Sequence, residues 1–307
     1  MMSPPIECIA LSKKFGHLTA VRDLNLSLEE GTVLGFVGPN GAGKSTTIRM
    51  LLGLARPSAG SVRIFGSEPQ RDVKVRGRVG YSPGELRLDD RLSVKTTLAS
   101  WARLRGTVDA GFRDELIERL DVQPDRQVRG LSTGNRRKVA LVGALMSKPD
   151  LLILDEPTNG LDPIVQSEFM TILSEAALRG TSILLSSHIL SEVERIADLV
   201  LVIRAGAIVA SGPTKQLRGD LPQIFRANFR TDAPAATQFE QLTGTIKVEK
   251  PHSRELLIHW SGPPGPLLSR LADYELDSLT APEPDLEQAF LSYYRSDQPT
   301  DAKRGES

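Results

Sequence analysis

Residues 38–46 read GPNGAGKST, a G-x-x-x-x-G-K-[ST] pattern that follows the apolar run GTVLGFVG (31–38) and opens the segment KSTTIRMLLGLA (44–55). The run before the loop is short and apolar, as a buried strand is, and the segment after it places Ile48, Leu51, Leu52 and Ala55 at helical spacing. Strand, glycine loop and helix in that order leave few folds open. Average composition produces such a match by chance in about one chain in a hundred of this length, before the strand and helix are required. Gly38, Gly41 and Gly43 let the backbone wrap closely around phosphates, and Pro39, Asn40, Ala42 and Thr46 complete the cofactor-binding stretch. In this pattern Lys44 reaches the β- and γ-phosphates and the Ser45 hydroxyl coordinates Mg²⁺.

Three further stretches carry chemistry. LLILDEP (151–157) is an apolar strand ending in two carboxylates. Asp155 stands where ligands sit in open α/β sheets and suits Mg²⁺ through water, leaving Glu156 to orient or deprotonate an attacking water. A solvated strand end is the ordinary alternative. SSH (186–188) follows the apolar run TSILL, so His188 is expected on the same sheet edge, against the competing reading of a histidine capping the next helix. LSTGN (131–135) precedes the helical run RRKVALVGALM. A hydroxyl and unpaired backbone N–H groups at a helix N-terminus form an anion site distant in sequence from the phosphate loop.

The elements between these stretches define the architecture. Residues 93–147 are mostly helical, with Leu98, Trp101 and Leu104 on one face and Leu116, Ile117 and Leu120 on another, and read as an inserted helical subdomain. From 151 to 211 strands and helices alternate, and their continuous apolar strands suit a parallel sheet covered on both faces. SGPTKQLRGDLP (211–222) is a Gly- and Pro-rich connection. Beyond it the predicted order is β-α-β-β-α-β (strands 222–230, 244–250, 254–260 and 275–280, helices 234–242 and 264–273) with a closing helix at 285–294, a small ferredoxin-like α+β domain. The predicted domains are therefore 1–212, 213–295 and a disordered tail, 296–307.

Composition narrows the partners. Lys plus Arg and Asp plus Glu each total 38, so no net field draws the chain to nucleic acid, and none is expected as a partner. Cys8, the single cysteine, excludes an internal disulfide and a cysteine-based zinc site, and reads as a small core residue. No apolar run approaches the roughly 20 residues of a membrane span. MMSPPIECIALSKKF also lacks the basic-then-apolar order of a signal segment, so a cytoplasmic chain is expected.

Taken in order along residues 6–212, these pieces resemble the ATP-binding cassette family. LSTGN is similar to its signature motif, NGLD (159–162) to its D-loop and SSH to its switch histidine, with Thr133 and Asn135 departing from the usual signature residues. The resemblance implies a P-loop NTPase cassette of fold class α/β: a parallel-core sheet, N-terminal antiparallel strands and an inserted helical subdomain. It implies an ATPase in which two subunits pair head to tail. Ser132 and Gly134 then hold the γ-phosphate of ATP on a second copy or a homologous subunit, and Asp162 joins the nucleotide contacts. Phe15 matches the ring that stacks on adenine; a core phenylalanine is the competing reading.

VGYSPGELRL (79–88) departs further. Gly84 stands where the family places a Mg²⁺-contacting glutamine, so Glu85 is the candidate metal ligand, with a solvated loop acid as the alternative. PDLEQAFLSYYR (284–295) is similar to the close of ATPase subunits of type-2 multidrug and antibiotic exporters. That likeness implies a separate integral membrane permease docking at about 86–110 and a peripheral location on the cytoplasmic membrane face. A cassette acting without a permease, in regulation or resistance, is the alternative.

Overall fold

The structure is a computed structural model that describes residues 3–106, 108–214, 216 and 222–282. It divides into two compact units, Met1–Thr214 and Lys215–Ser307. The first unit begins with β1 (Ile6–Phe15), β2 (Leu18–Leu28), β3 (Val33–Val37), α1 (Lys44–Leu51), β4 (Ala59–Ile64) and β5 (Val79–Ser82). Helices α2 (Val94–Arg105), α3 (Ala110–Arg119) and α4 (Thr133–Leu145) follow. The unit continues through β6 (Leu151–Asp155), α5 (Pro163–Leu178), β7 (Ser182–Ser187), α6 (Leu190–Glu194), β8 (Leu199–Arg204) and β9 (Ala207–Pro213).

Two sheets form its frame. β2-β1-β4 is antiparallel, and β5-β6-β7-β3-β8-β9 is parallel from β5 to β8. Every residue of β3, β6 and β7 is buried, as strands covered on both faces require. These three strands are neighbours, with Asp155 paired to Ser186 and Val37 to Ser187, so their carboxyl ends open at one place on the sheet edge. Leu24, Leu28 and Ile64 of the smaller sheet pack in one core with Phe36, Ile48 and Leu51. Truncating a buried aromatic such as Phe36 to alanine costs about 3–5 kcal/mol.

Two expectations change. β9 runs antiparallel to β8, since Ala205 and Gly206 both take positive φ (46° and 81°), and a two-residue turn of that hand returns the chain as a hairpin. Leu104 is 86% exposed and does not share the buried face of Leu98. The end of α2 is held instead by Arg105, whose Nη1 donates to Val79 O at 2.5 Å, leaving Leu104 on a rim. The three inserted helices start where side chains cap them: Ser93, Asp109 and Ser132 accept from Thr96 N, Phe112 N and Asn135 N. α2 lies close on α4 because Gly143 has no Cβ to meet the Trp101 ring.

The second unit holds β10 (Gln223–Phe229), α7 (Thr237–Glu240), β11 (Thr245–His252), β12 (Glu255–Trp260), α8 (Gly265–Leu271) and β13 (Leu276–Thr280). Its antiparallel sheet has the order β11-β12-β10-β13, the ferredoxin-like arrangement. Phe225, Phe229, Phe239, Ile258, Trp260 and Leu271 form its core. The helix expected at 234–242 is a single turn. The expected helix at 285–294 and the tail from Ser296 lie outside the described residues.

Candidate active site

The loop between β3 and α1 follows from its glycines. A Cβ on Gly38 would collide with the Ile203 carbonyl, and one on Gly43 would lie 2.6 Å from Ala20 O. Gly43, at φ 114°, is the N-cap of α1 and offers no side chain to the first-turn N–H groups, which leaves them for an anion. The loop lines a cavity of about 660 Å³ that also takes in Phe15, Leu18, Arg22 and Glu156. Phe15 is 53% exposed there, so it is not a core residue.

Lys44 brings a positive charge to this cavity although only 5% of its surface is exposed. Its Nζ donates to Gly38 O at 2.5 Å and to Pro39 O at 3.3 Å, and stands 3.1 Å from Glu156 Oε1. That last contact is an ion pair by distance but lacks hydrogen-bond geometry, so Oε1 is buried with no hydrogen-bond partner. Glu156 Oε2 accepts from His188 N at 3.3 Å and pairs with His188 Nδ1 at 2.7 Å. Glu156 itself sits at φ 49°, a strained backbone for a non-glycine residue, and its N–H donates to Ser186 O and Ser186 Oγ. The alternative of a freely solvated strand end does not fit a glutamate bonded in this way.

Asp155 is buried at the end of β6, and its Oδ1 accepts from Ser186 Oγ at 2.7 Å. A Cβ on Gly84 would lie 3.1 Å from its Oδ2, so the loop after β5 backs directly onto this carboxylate. Arg137 of α4, also buried, holds that loop by donating to Pro83 O and, at 2.5 Å, to Gly84 O. Burial and the nearby Asp155 charge push the Tyr81 phenol up to about 12.

The remaining predicted residues lie outside the 660 Å³ cavity. Ser132 caps α4, and Gly134 packs against the Gly160 carbonyl with no room for a Cβ. Asp162 caps α5 by accepting from Val165 N at 3.0 Å, and that bond lowers its pKa. Glu85 is exposed and lines a different cavity with Arg87, Thr133 and Arg136. No group of three or more His, Cys, Asp or Glu poised for a metal occurs among the described residues.

The profile of the ABC transporter family matches residues 21–159. Nod factor export ATP-binding protein I of Cupriavidus pinatubonensis is 35% identical over 277 residues, 87% of this chain and 83% of that protein. The chain belongs to the ABC transporter family. Daunorubicin/doxorubicin resistance ATP-binding protein DrrA of Streptomyces peucetius is 36% identical over 247 residues, 77% of this chain and 74% of its own length. A solved ATP-binding subunit of an ABC transporter superposes with a TM-score of 0.65 at 28% identity, covering 69% of this chain and 91% of that one.

This ABC cassette is therefore a nucleotide-binding ATPase. Within it, sequence reasoning missed Arg22 and His17 on the cavity wall, Ser186 beneath Asp155 and Arg137 across the Gly84 loop. Ser186 alone was signalled, because it opens SSH two residues before the expected histidine.

Proposed function

We propose that the chain is the ATP-hydrolysing subunit of an exporter that moves its substrate through a separate integral membrane permease. What carries the reading is the contact chain Lys44–Glu156–His188, built at the neighbouring ends of β3, β6 and β7. The relatives named for Nod factor export and for drug resistance support the export half. No helix among the described residues is long and apolar enough to cross a membrane, in keeping with a subunit peripheral to the cytoplasmic membrane face.

In this reading the unpaired N–H groups of α1 and the Lys44 ammonium bind the phosphates of ATP, and the Phe15 ring stacks on the base. Ser45 and Asp155 offer the hard oxygen donors that suit Mg²⁺, and Glu156 Oε1, ion-paired with Lys44 but without a hydrogen bond, marks a site made for further polar company. When bound, Mg²⁺ would neutralise charge on the β- and γ-phosphates. Glu156 Oε1 takes a proton from water as the water oxygen bonds to the γ-phosphorus. The bond to the bridging oxygen breaks, releasing ADP and phosphate. His188 holds Glu156 through Oε2.

Ser132 and Gly134 serve the γ-phosphate of a second copy or a homologous subunit, and Asp162 belongs to the same interface. An apolar cavity of about 250 Å³ between β5, α2 and α4, with Trp101 on its wall and Leu104 on its rim, receives a cytoplasmic helix of the permease. The second unit carries none of the predicted site residues and serves stability or regulation. Glu156→Gln tests the chemistry: phosphate release is expected to fall about 10²–10⁴-fold. MgATP binding should persist, and a closed dimer should accumulate by light scattering. Ser132→Arg added to it should abolish that dimer. Normal hydrolysis by Glu156→Gln would remove Glu156 from the mechanism.

A further inference from the structure

Glu192 lies on α6, four residues beyond His188, with 6% of its surface exposed. Its carboxylate accepts three hydrogen bonds from three separate segments: from Thr158 Oγ1 at 2.7 Å, Gln166 Nε2 at 2.5 Å and Ser187 Oγ at 3.0 Å. Thr158 is two residues past Glu156 and is itself buried. Ser187 immediately precedes His188, and its Oγ also accepts from Ile189 N at 2.9 Å, fixing the turn that carries the histidine. Gln166 belongs to the first turns of α5, just past its Asp162 cap.

Burying a carboxylate costs several kcal/mol in lost hydration, and an apolar side chain would fill this space without that cost. What the carboxylate supplies is acceptor capacity. One group with about four lone-pair sites can gather hydroxyl and amide donors from several segments at once. The two segments it joins are the ones whose relative position sets the 2.7 Å contact between Glu156 and His188. Glu156 also stands at φ 49°, a conformation that persists only when its surroundings over-determine it.

We propose that Glu192 is a positioning residue for hydrolysis: its buried carboxylate fixes the chain after Glu156 in register with the chain before His188. The inference rests on the reading of Glu156 and His188 as the hydrolytic pair. A misplacement of about 1 Å near a reacting group costs about 10²-fold in rate. Glu192→Ala should therefore lower kcat about 100-fold, and Glu192→Gln, which keeps one acceptor oxygen, about tenfold. The ATP dissociation constant, measured without Mg²⁺, should stay within about threefold, because the three hydrogen bonds of Glu192 go to Thr158, Gln166 and Ser187 and none to the phosphate loop.

The His188 imidazole resonance, which reports its bond to Glu156, should shift in both variants. Thr158→Val removes one donor and should cost several-fold in kcat. Combined with Glu192→Gln it should cost no more than Glu192→Gln alone, as coupled partners do. Folded Glu192 variants with wild-type kcat, an unmoved His188 resonance, or additive losses with Thr158→Val overturn the proposal. If Glu192→Ala does not fold, Glu192→Gln and its double variant decide. Normal turnover by Glu156→Gln would instead overturn the underlying pair, so the two failures read differently.

Discussion

Gly43 and Gly41 separate two reasons for glycine in the phosphate loop. Both hold positive φ, 114° and 80°, so an alanine at either is strained, at about 1–3 kcal/mol. Their surroundings differ. A Cβ on Gly41 meets nothing within 4 Å, whereas one on Gly43 falls 2.6 Å from Ala20 O, about 0.8 Å inside ordinary 3.4 Å contact. The obstacle is backbone, so it cannot swing aside as a side chain would. Relieving it must displace β2 or the start of α1, where Lys44 and its N–H groups sit, and overpacking of this kind adds about 1–3 kcal/mol.

For a unit of this size each kcal/mol lowers Tm by about 2–4 °C. Gly41→Ala should therefore lose about 2–12 °C and Gly43→Ala about 4–24 °C, with Gly43→Ala the lower of the two. Function should separate further. Gly41→Ala should hold ATP within about tenfold of wild type, while Gly43→Ala, which shifts Lys44 by most of an ångström, should lose about 10²-fold in turnover. Thermal unfolding, fluorescent-nucleotide titration and a phosphate-release assay measure these losses. Equal losses of Tm and affinity in the two variants would refute the contact argument, leaving backbone strain as the sole reason for glycine at either position.

Phe15→Ala should weaken ATP about 2–12-fold, the about 0.5–1.5 kcal/mol of a ring contact, with Tm nearly unchanged because the ring is largely exposed; Phe15→Trp should restore binding in the same titration. Burial, with Glu7 adding to it, pushes the Cys8 thiol up to about 12 from 9.0. Its folded-state pKa is raised, so the stability it contributes is fully present below pH 9 and is lost as pH rises toward 12. Alkylation of the native chain at pH 8 should then run about a thousandfold slower than in urea, and comparable rates would show the thiol to be accessible.

The loop, the acidic strand and SSH were legible because each couples a sequence pattern to one location, the carboxyl end of a buried parallel strand. Gly38–Ser45, Asp155, Glu156 and His188 needed only that rule to be placed near one another. What escaped were bonds between remote segments. Arg137 reaches Gly84 across 53 residues, and Glu192 reaches Thr158 across 34, with nothing in either local pattern to announce the partner. Leu104 was misread for a related reason: helical spacing gives a face but does not say how far along the helix that face stays covered. Glu85 was proposed because it is adjacent to Gly84 in sequence; it is exposed and lines a cavity with Arg87 and Arg136, while Gly84 itself lies against Asp155.

Contacts within the first unit also join the two anion sites of the proposed dimer. Gly134, two residues from the Ser132 cap, packs on the Gly160 carbonyl with no space between. Gly160 is two residues from Thr158, which is bonded to Glu192, which in turn holds Ser187 beside His188. The start of α4 is thus connected, through packed backbone and three buried polar side chains, to the turn that carries His188. Coupling between sites needs a physical element that both can bias, and spatial nearness alone does not supply one. The part of the chain that touches both is the turn from Glu156 to Asp162. Thr158 bonds it to Glu192, and Gly160 packs it against Gly134, so both contacts fall within three residues of one turn.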